Sequence, residues 1–513
     1  MSAAKQMPRR AAPPAGSNLP VVRFPDLSRR PAPAGASLSD LASSPSAAIP
    51  AAIAVSILAG VVLVAEPILL VAVLALGLAG LGIAVALVRP DIAFGGLVVL
   101  LGLVPTYAAP KVGPIFLLPA ALGSWAIAVG LLWRNYIVRG YLLRWNYVDL
   151  AALLFFGLMA ASLSFSPRPE LHDYIHESFF WIGPYFAARL LLAEVSSPVK
   201  VAAASFAIVT VILAPIAISE ALGGSNPFFN LNFNSGEFDL WARQINRFGA
   251  TRVVTSWGHP ISFSIFLACS ALLAFAMGIA SRAWRSRGIW YSVAVIATAM
   301  MALTLSRTGW LMLAIGVVLL ALTTRGPARG RLFSLIGAVL IAVLLLAIVA
   351  PDQLGVLPGF SHAHESHYET SGLYREALLH RALEPGVLHL WGNAYNQVTP
   401  AVGYDKATDN AYIILADTWG LIPTFALFGV GAALLVTVGR SYGRQEGTEP
   451  IAILPIAAFT TLVGIFFVAF ITQQPVLIWM LIGAGGAATD RLTRSRRGKS
   501  AVAAGAPAAL SGG

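Results

Sequence analysis

The chain reads as an all-α polytopic membrane protein, with about 12–14 transmembrane helices and a large outer loop containing short helices. Three observations predict this. Of 513 residues, 57% are hydrophobic and only 11% are charged, against about a quarter charged in an ordinary soluble domain. Apolar runs recur along nearly the whole chain, and about 20 such residues cover the hydrocarbon core of a bilayer. The basic residues gather in short loops between those runs, which is how orientation is encoded in membrane proteins. A formal net charge of +11 would suit nucleic acid, but this distribution assigns it to topology, so no nucleic-acid partner is expected.

Residues 1–46 are Pro/Ala-rich and basic, too polar for the apolar core of a cleavable leader. They are expected to be a disordered cytoplasmic tail. An N-terminal group of transmembrane runs occupies 47–219: 47–65, 68–88, 92–108, 116–133, 148–166, 177–193 and 201–219. Loop 220–254 leads to a second group over 255–350, with runs 255–280, 289–306, 309–323 and 332–350. The long polar stretch 351–409 precedes a C-terminal group over 410–489, with runs 410–438, 450–471 and 474–489, and a tail 490–513. Alternation from a cytoplasmic N-terminus places Arg134, Arg139 and Arg144 inside, together with Arg282, Arg285 and Arg287. Arg440, Arg444 and the run from Arg491 to Lys499 fall inside too, so both termini are expected in the cytoplasm. Loops 220–254 and 351–409 then lie outside. Arg189, near the inner end of its run, has the reach to snorkel to the headgroups. The single cysteine, Cys269, excludes an intrachain disulfide.

The outer loop from Ser366 to Gly420 mixes aromatic, basic, acidic and amide side chains, unlike a plain linker. Within it, Tyr374, Ala377, Leu378 and Ala382 recur at helical spacing over Gly372–Leu383. Pro385 and Gly386 would end that helix. Ser306-Arg307-Thr308 sits at the turn between two runs beside Trp310. Arg307 is either a headgroup anchor or, against the positive-inside bias, a functional arginine at the membrane surface. Arg375 and Arg381 belong to the outer helix. They are a solvated, ion-paired face or planar forks for phosphate oxygens. Arg252, just before a run, has the same two readings, and its neighbour His259 suits packing better than catalysis. Asp409-Asn410 opens the next run. Either residue suits a helix N-cap, and Asp409 also suits removal of a proton from a hydroxyl. His362, His364 and His367 match no zinc spacing, so no metal site is expected. There is no Walker A, GxGxxG, HExxH or GxSxG pattern, which leaves nucleotide-driven pumping and the familiar hydrolases unsupported.

SRTGW at the outer end of a run, then YREALLHRAL and GN in a long outer loop, then DNAYIILADTWG opening the next run form an ordered set. Over roughly residues 250–425 this set resembles the O-antigen ligase/polymerase superfamily. The resemblance implies a metal-independent glycosyltransferase of the bacterial inner membrane, acting at the periplasmic face on polyprenyl-diphosphate-linked saccharides. Its acceptor would be a growing polysaccharide or a lipid, and no cofactor is implied. Carried over, Arg307 and Arg375 bind the donor diphosphate, with Arg252 a weaker third. Asp409 stands where the ligases have a catalytic histidine, which favours polymerising or exopolysaccharide relatives over ligation to lipid A core. Ser306 and Asn410, flanking these groups, are taken as substrate-binding. The rival expectation is a polytopic transporter or lipid-linked saccharide flippase, which would place charges at mid-bilayer and broken helices in two related halves.

Overall fold

The computed structural model describes residues 77, 80–109, 111–112, 115–140, 143–166, 171–231, 246–247, 250–324, 329–330, 377–392, 410–442, 450–468 and 473–503. This is an all-α polytopic membrane protein. Its helices are α1 Pro90–Leu103, α2 Pro119–Trp133, α3 Tyr147–Phe165, α4 Leu171–Glu194, α5 Pro198–Ala221 and α6 Pro260–Ala280. They continue as α7 Trp284–Leu303, α8 Arg307–Thr323, α9 Ala411–Thr418, α10 Leu421–Ser441, α11 Ile453–Gly464 and α12 Gln474–Ala503. Two tiny antiparallel hairpins, β1 Lys111–Val112 with β2 Ile115–Phe116 and β3 Asn246–Arg247 with β4 Ala250–Thr251, lie in the links. Among the described residues, α3, α5, α6, α7 and α10 are long and apolar enough to cross a membrane. Helices α1 and α8 and the stretch Ile453–Phe467 are apolar but shorter.

The helix starts are locally encoded. Proline occupies the first turn of α1, α2, α5 and α6, where its missing N–H has no intrahelical acceptor to lose. Asn146 and Asp149 form a reciprocal capping box on α3. Helix α6 is enclosed on nearly all sides, between α5, α7, α8 and α11. Helix α12 packs along α4 and α11, where Gly483 and Gly486 let it approach closely. A Cβ on Gly483 would lie 2.3 Å from the Tyr185 carbonyl oxygen, and one on Gly486 would lie 2.9 Å from Arg189 Cδ. At mid-bundle, Trp479 stacks on Phe155 at 5.3 Å and on Trp181 at 5.9 Å.

One end of the bundle collects basic side chains. Arg134 pairs with Glu194, Arg440 lies 4.7 Å over the Tyr147 ring, and Arg491 donates to the Ser196 carbonyl. Here the structure corrects the expectation for Arg189. It does not snorkel: its side chain is 0% exposed and donates through Nε to Asp149 Oδ1 at 2.8 Å and through Nη2 to Asp490 Oδ2 at 2.7 Å. Tyr185 donates to the same Asp149 oxygen at 2.5 Å, and Asn146 Nδ2 donates to Asp490 Oδ1 at 3.1 Å. Two carboxylates inside the bundle outweigh the attraction of distant headgroups.

A second correction concerns 410–438, expected as one span. It breaks into α9 and α10 at Gly420, whose φ is +101°. Residues 389–392 wrap that break: Leu421 N–H donates to the His389 carbonyl and Ile422 N–H to the Leu390 carbonyl. The run expected from 255 starts as a helix only at Pro260, with Thr255–Trp257 forming a separate turn. Of the outer helix expected over Gly372–Leu383, residues 377–383 are helical. Its Leu378 and Ala382 pack with Val387 and with Ile413 of α9. The runs 47–65 and 332–350, the N-terminal tail, and Arg375 and Asp409 lie outside the described residues.

Candidate functional site

The end opposite the basic one is where α1, α5, α7 and α11 finish and α6, α8, α9 and α12 begin. Its centre is the segment 252–259. Glu220, the penultimate residue of α5, is 0% exposed and accepts hydrogen bonds from Val254 N at 3.1 Å and Thr255 N at 3.0 Å. That carboxylate satisfies two buried backbone donors at once. It holds Thr255 at φ +50°, a left-handed conformation costly for a β-branched residue. On the far side of the turn, Gln473 Nε2 donates to the Ser256 carbonyl at 2.8 Å and to the Val104 carbonyl at 3.0 Å.

With the turn so fixed, Arg252 is buried and aims Nε at the Thr304 carbonyl, 2.9 Å away. Val253 N–H donates to the Leu303 carbonyl at 3.3 Å. Arg252 is thereby tied to the α7–α8 turn, which contains the second non-glycine residue at positive φ, Leu305 at +51°. Ser306 follows as the N-cap of α8. It is buried, and its Oγ accepts from Ser264 Oγ at 3.0 Å. Arg307 is the first residue of α8 and is exposed. His259 caps α6 from outside the helix, its Nδ1 accepting from Ile261 N at 3.3 Å. Burial first, and then the Arg252 charge, push its imidazole down to about 3. A neutral histidine serving a helix cap has no proton to give at neutral pH.

Asn410 arrives from the other side. Its Oδ1 accepts from Tyr412 N at 2.9 Å and Ile413 N at 3.2 Å, so Asn410 is the N-cap of α9. That leaves the cap reading of the Asp409-Asn410 pair to Asn410. The end of α11 joins the two sides. A Cβ on Gly464 would lie 3.6 Å from Thr308 Cγ2, and Ala411 N–H donates to the Val468 carbonyl at 3.0 Å. Arg252, Ser306, Arg307 and Asn410 are therefore carried to one end of one helix group. Arg381, by contrast, pairs with Glu384.

An apolar groove of about 420 Å³ runs between α8, α9, α10 and α11. Leu311 lines it one helical turn beyond Arg307, and Tyr412 lines it two residues beyond Asn410. The Tyr412 ring stacks on Phe428 at 4.8 Å, and its hydroxyl donates to the Leu462 carbonyl at 2.8 Å. Glu220, Gln473 and Thr304 were missed as site-building residues. A lone buried carboxylate at a span end was the available sign for Glu220; Gln473 and Thr304 carry none. No protein-family model matches this chain, and no curated protein matches it.

Proposed function

We propose that the chain is a glycosyltransferase of the bacterial inner membrane, with both termini cytoplasmic. It would transfer or polymerise polyprenyl-diphosphate-linked saccharides at the periplasmic face. The observation that carries this reading is that Arg252, Ser306–Arg307 and Asn410 gather at one end of the bundle, with an apolar groove lined by Leu311, one turn beyond Arg307, and by Tyr412, two residues beyond Asn410. An amphiphile with an anionic head and a long apolar tail matches both halves of that arrangement.

In the proposed reaction an acceptor hydroxyl attacks the anomeric carbon of the lipid-linked sugar. The new C–O bond forms as the bond to the diphosphate breaks, and the diphosphate leaves with the electron pair. Asp409 takes the hydroxyl proton. Charge grows on the departing diphosphate, so guanidinium groups of Arg307 and Arg375 stabilise the transition state more than the ground state. Arg252, held by Thr304, supplies a further fixed positive charge. Because these cations neutralise the leaving group, the reaction as proposed requires no metal or nucleotide.

Transport is the weaker reading. The buried Arg189–Asp149–Asp490 network involves the third residue of α3, and so lies near one end of the bundle, away from the mid-bilayer position that a translocation site would occupy.

The test is Arg307→Lys against Arg307→Ala, in purified protein supplied with lipid-linked donor. An ammonium keeps the charge but lacks the planar bidentate fork, so both variants are expected to lose most activity. Full turnover by Arg307→Lys would reduce Arg307 to a headgroup anchor.

A further inference from the structure

A second cluster lies at the same end of the bundle, beyond the C-terminus of α9. Trp419 Nε1 donates to Glu177 Oε2 of α4 at 2.7 Å, and the Trp419 ring meets Tyr174 edge-on at 6.0 Å. Trp419 is buried, so its indole orients the carboxylate and is not itself presented. Asp173 lies one helical turn before Glu177, on the same face of α4. The same end carries an aromatic platform: the rings of Trp391 and Phe165 lie 4.9 Å apart at 32°. Phe165 is 63% exposed and Trp391 half-buried.

One close backbone crossing joins the two parts. A Cβ on Gly392 would lie 2.8 Å from the Trp419 carbonyl carbon, and one on Gly420 would lie 2.6 Å from the Trp391 carbonyl carbon. Only glycine at both positions lets the segment carrying Trp391 lie against the segment carrying Trp419.

Aromatic side chains at this level of a membrane protein ordinarily belong to the interfacial belt. Two carboxyl groups at the same end argue against that assignment here, because a lipid-facing surface gains nothing from them. A flat apolar ring face next to hydrogen-bonding carboxyl groups is instead suited to a polyhydroxylated ring. Such a ligand has an apolar C–H face for the aromatic pair and hydroxyl donors for Glu177 and Asp173.

We infer that Trp391, Phe165, Glu177 and Asp173 form a saccharide-binding surface. It takes sugar residues at a distance from the reacting end. Helix α9, eight residues from Ala411 to Thr418 and so about 12 Å long, separates Asn410 from Trp419, which holds Glu177. That separation suits a chain several sugar residues long, held at one point while its end reacts at another. The inference rests on the transferase reading for its identification of the ligand.

The experiment uses the purified full-length chain in detergent. Its probe is a set of size-fractionated oligosaccharides, released by mild acid from the surface polysaccharide of the producing cells and fluorescently labelled. Binding is followed by anisotropy, with inorganic pyrophosphate binding measured in parallel. Trp391→Ala is expected to raise Kd for the longer fractions by about tenfold while pyrophosphate binding stays unchanged. Trp391→Phe, which keeps an aromatic face, should restore binding and shows that the site is folded. If Trp391→Ala lowers the yield of folded protein, Glu177→Gln takes its place, with several-fold weaker binding expected. Wild-type protein that binds no fraction overturns the inference, as does a folded Trp391→Ala or Glu177→Gln variant that binds like wild type. Loss of pyrophosphate binding from Arg307→Ala is not required here. If it fails to occur while Trp391 matters, the diphosphate reading falls and the saccharide surface stands.

Discussion

Replacing Arg189 by methionine removes one positive charge from a site that holds two negative ones. Asp149 and Arg189 are both 0% exposed at the side chain and Asp490 only 10%, so solvent does not screen the loss. Breaking a buried pair from one side costs about 3–5 kcal/mol, most of it the penalty of an uncompensated charge. The complementary change, Arg189→Met with Asp149→Leu, removes one of the two stranded charges and should recover part of that loss, since an apolar replacement of a buried pair is often neutral, while Asp490 keeps only Asn146 and Arg494. It still strands the Tyr185 hydroxyl, which donates to Asp149, at a cost of about 1–3 kcal/mol. Adding Tyr185→Phe should then recover that part of the cost, leaving the triple variant above the single one and below wild type by the Asp490 charge and the lost α3 capping box. The assay is reversible unfolding by dodecyl sulfate in mixed micelles, followed by tryptophan fluorescence. Trp479 is a suitable reporter, its ring 6.3 Å from Tyr185. An Arg189→Met protein as stable as wild type, or a triple variant no better than the single one, would refute the reasoning.

The remaining predictions concern the opposite end. Asp409→Asn is expected to accumulate normally but lose about two to four orders of magnitude in activity with lipid-linked donor. An amide as fast as the carboxylate would remove the general base from the account. In a Cys269→Ser background, Ser225→Cys should react with an impermeant thiol reagent in cells whose outer membrane is permeabilised, and Ala283→Cys should not. The reverse pattern would invert the orientation. Gly420→Ala should abolish accumulation of folded protein, because its Cβ would meet Gly392 N and the Leu390 carbonyl oxygen at 2.4 Å, at φ +101°. Gly223→Ala, at φ +84° with nothing within 4 Å, should cost only about 1–2 kcal/mol. Equal effects from the two would show that steric crossing is not what Gly420 relieves.

Much of the architecture was legible because a bilayer demands long apolar runs and proline marks where many of them start. The run expected over 148–166 and α3 differ by one residue at each end. What escaped was set by packing between distant segments. The break at Gly420 depends on residues 389–392, and an apolar run shows no sign of where another strand of chain will cross it. Arg189 and Asp490 lie 301 positions apart, Glu177 and Trp419 242. No local pattern reports such pairs. At the candidate site, the helix start at Asn410 was visible from capping chemistry alone. The tie between Arg252 and Thr304 was not, because its acceptor is a backbone carbonyl that any residue could have supplied.

Helix α12 bears on how the bundle is made. Gln473, just before it, takes the Thr106 hydroxyl and the Val104 and Ser256 carbonyls. Asp490, midway along it, takes Asn146 and Arg189. These partners belong to segments synthesised hundreds of residues earlier, 367 in the case of Thr106 and 344 in that of Asn146. Until those residues are made, therefore, the strained Thr255 turn lacks its Gln473 brace, and Arg189 has only Asp149 to answer it. Both ends of the bundle mature together, at the moment the ribosome delivers a single late helix. A ribosome stalled before Gln473 would leave every earlier span inserted and neither end finished, and that half-built state is the one a membrane quality-control protease would meet.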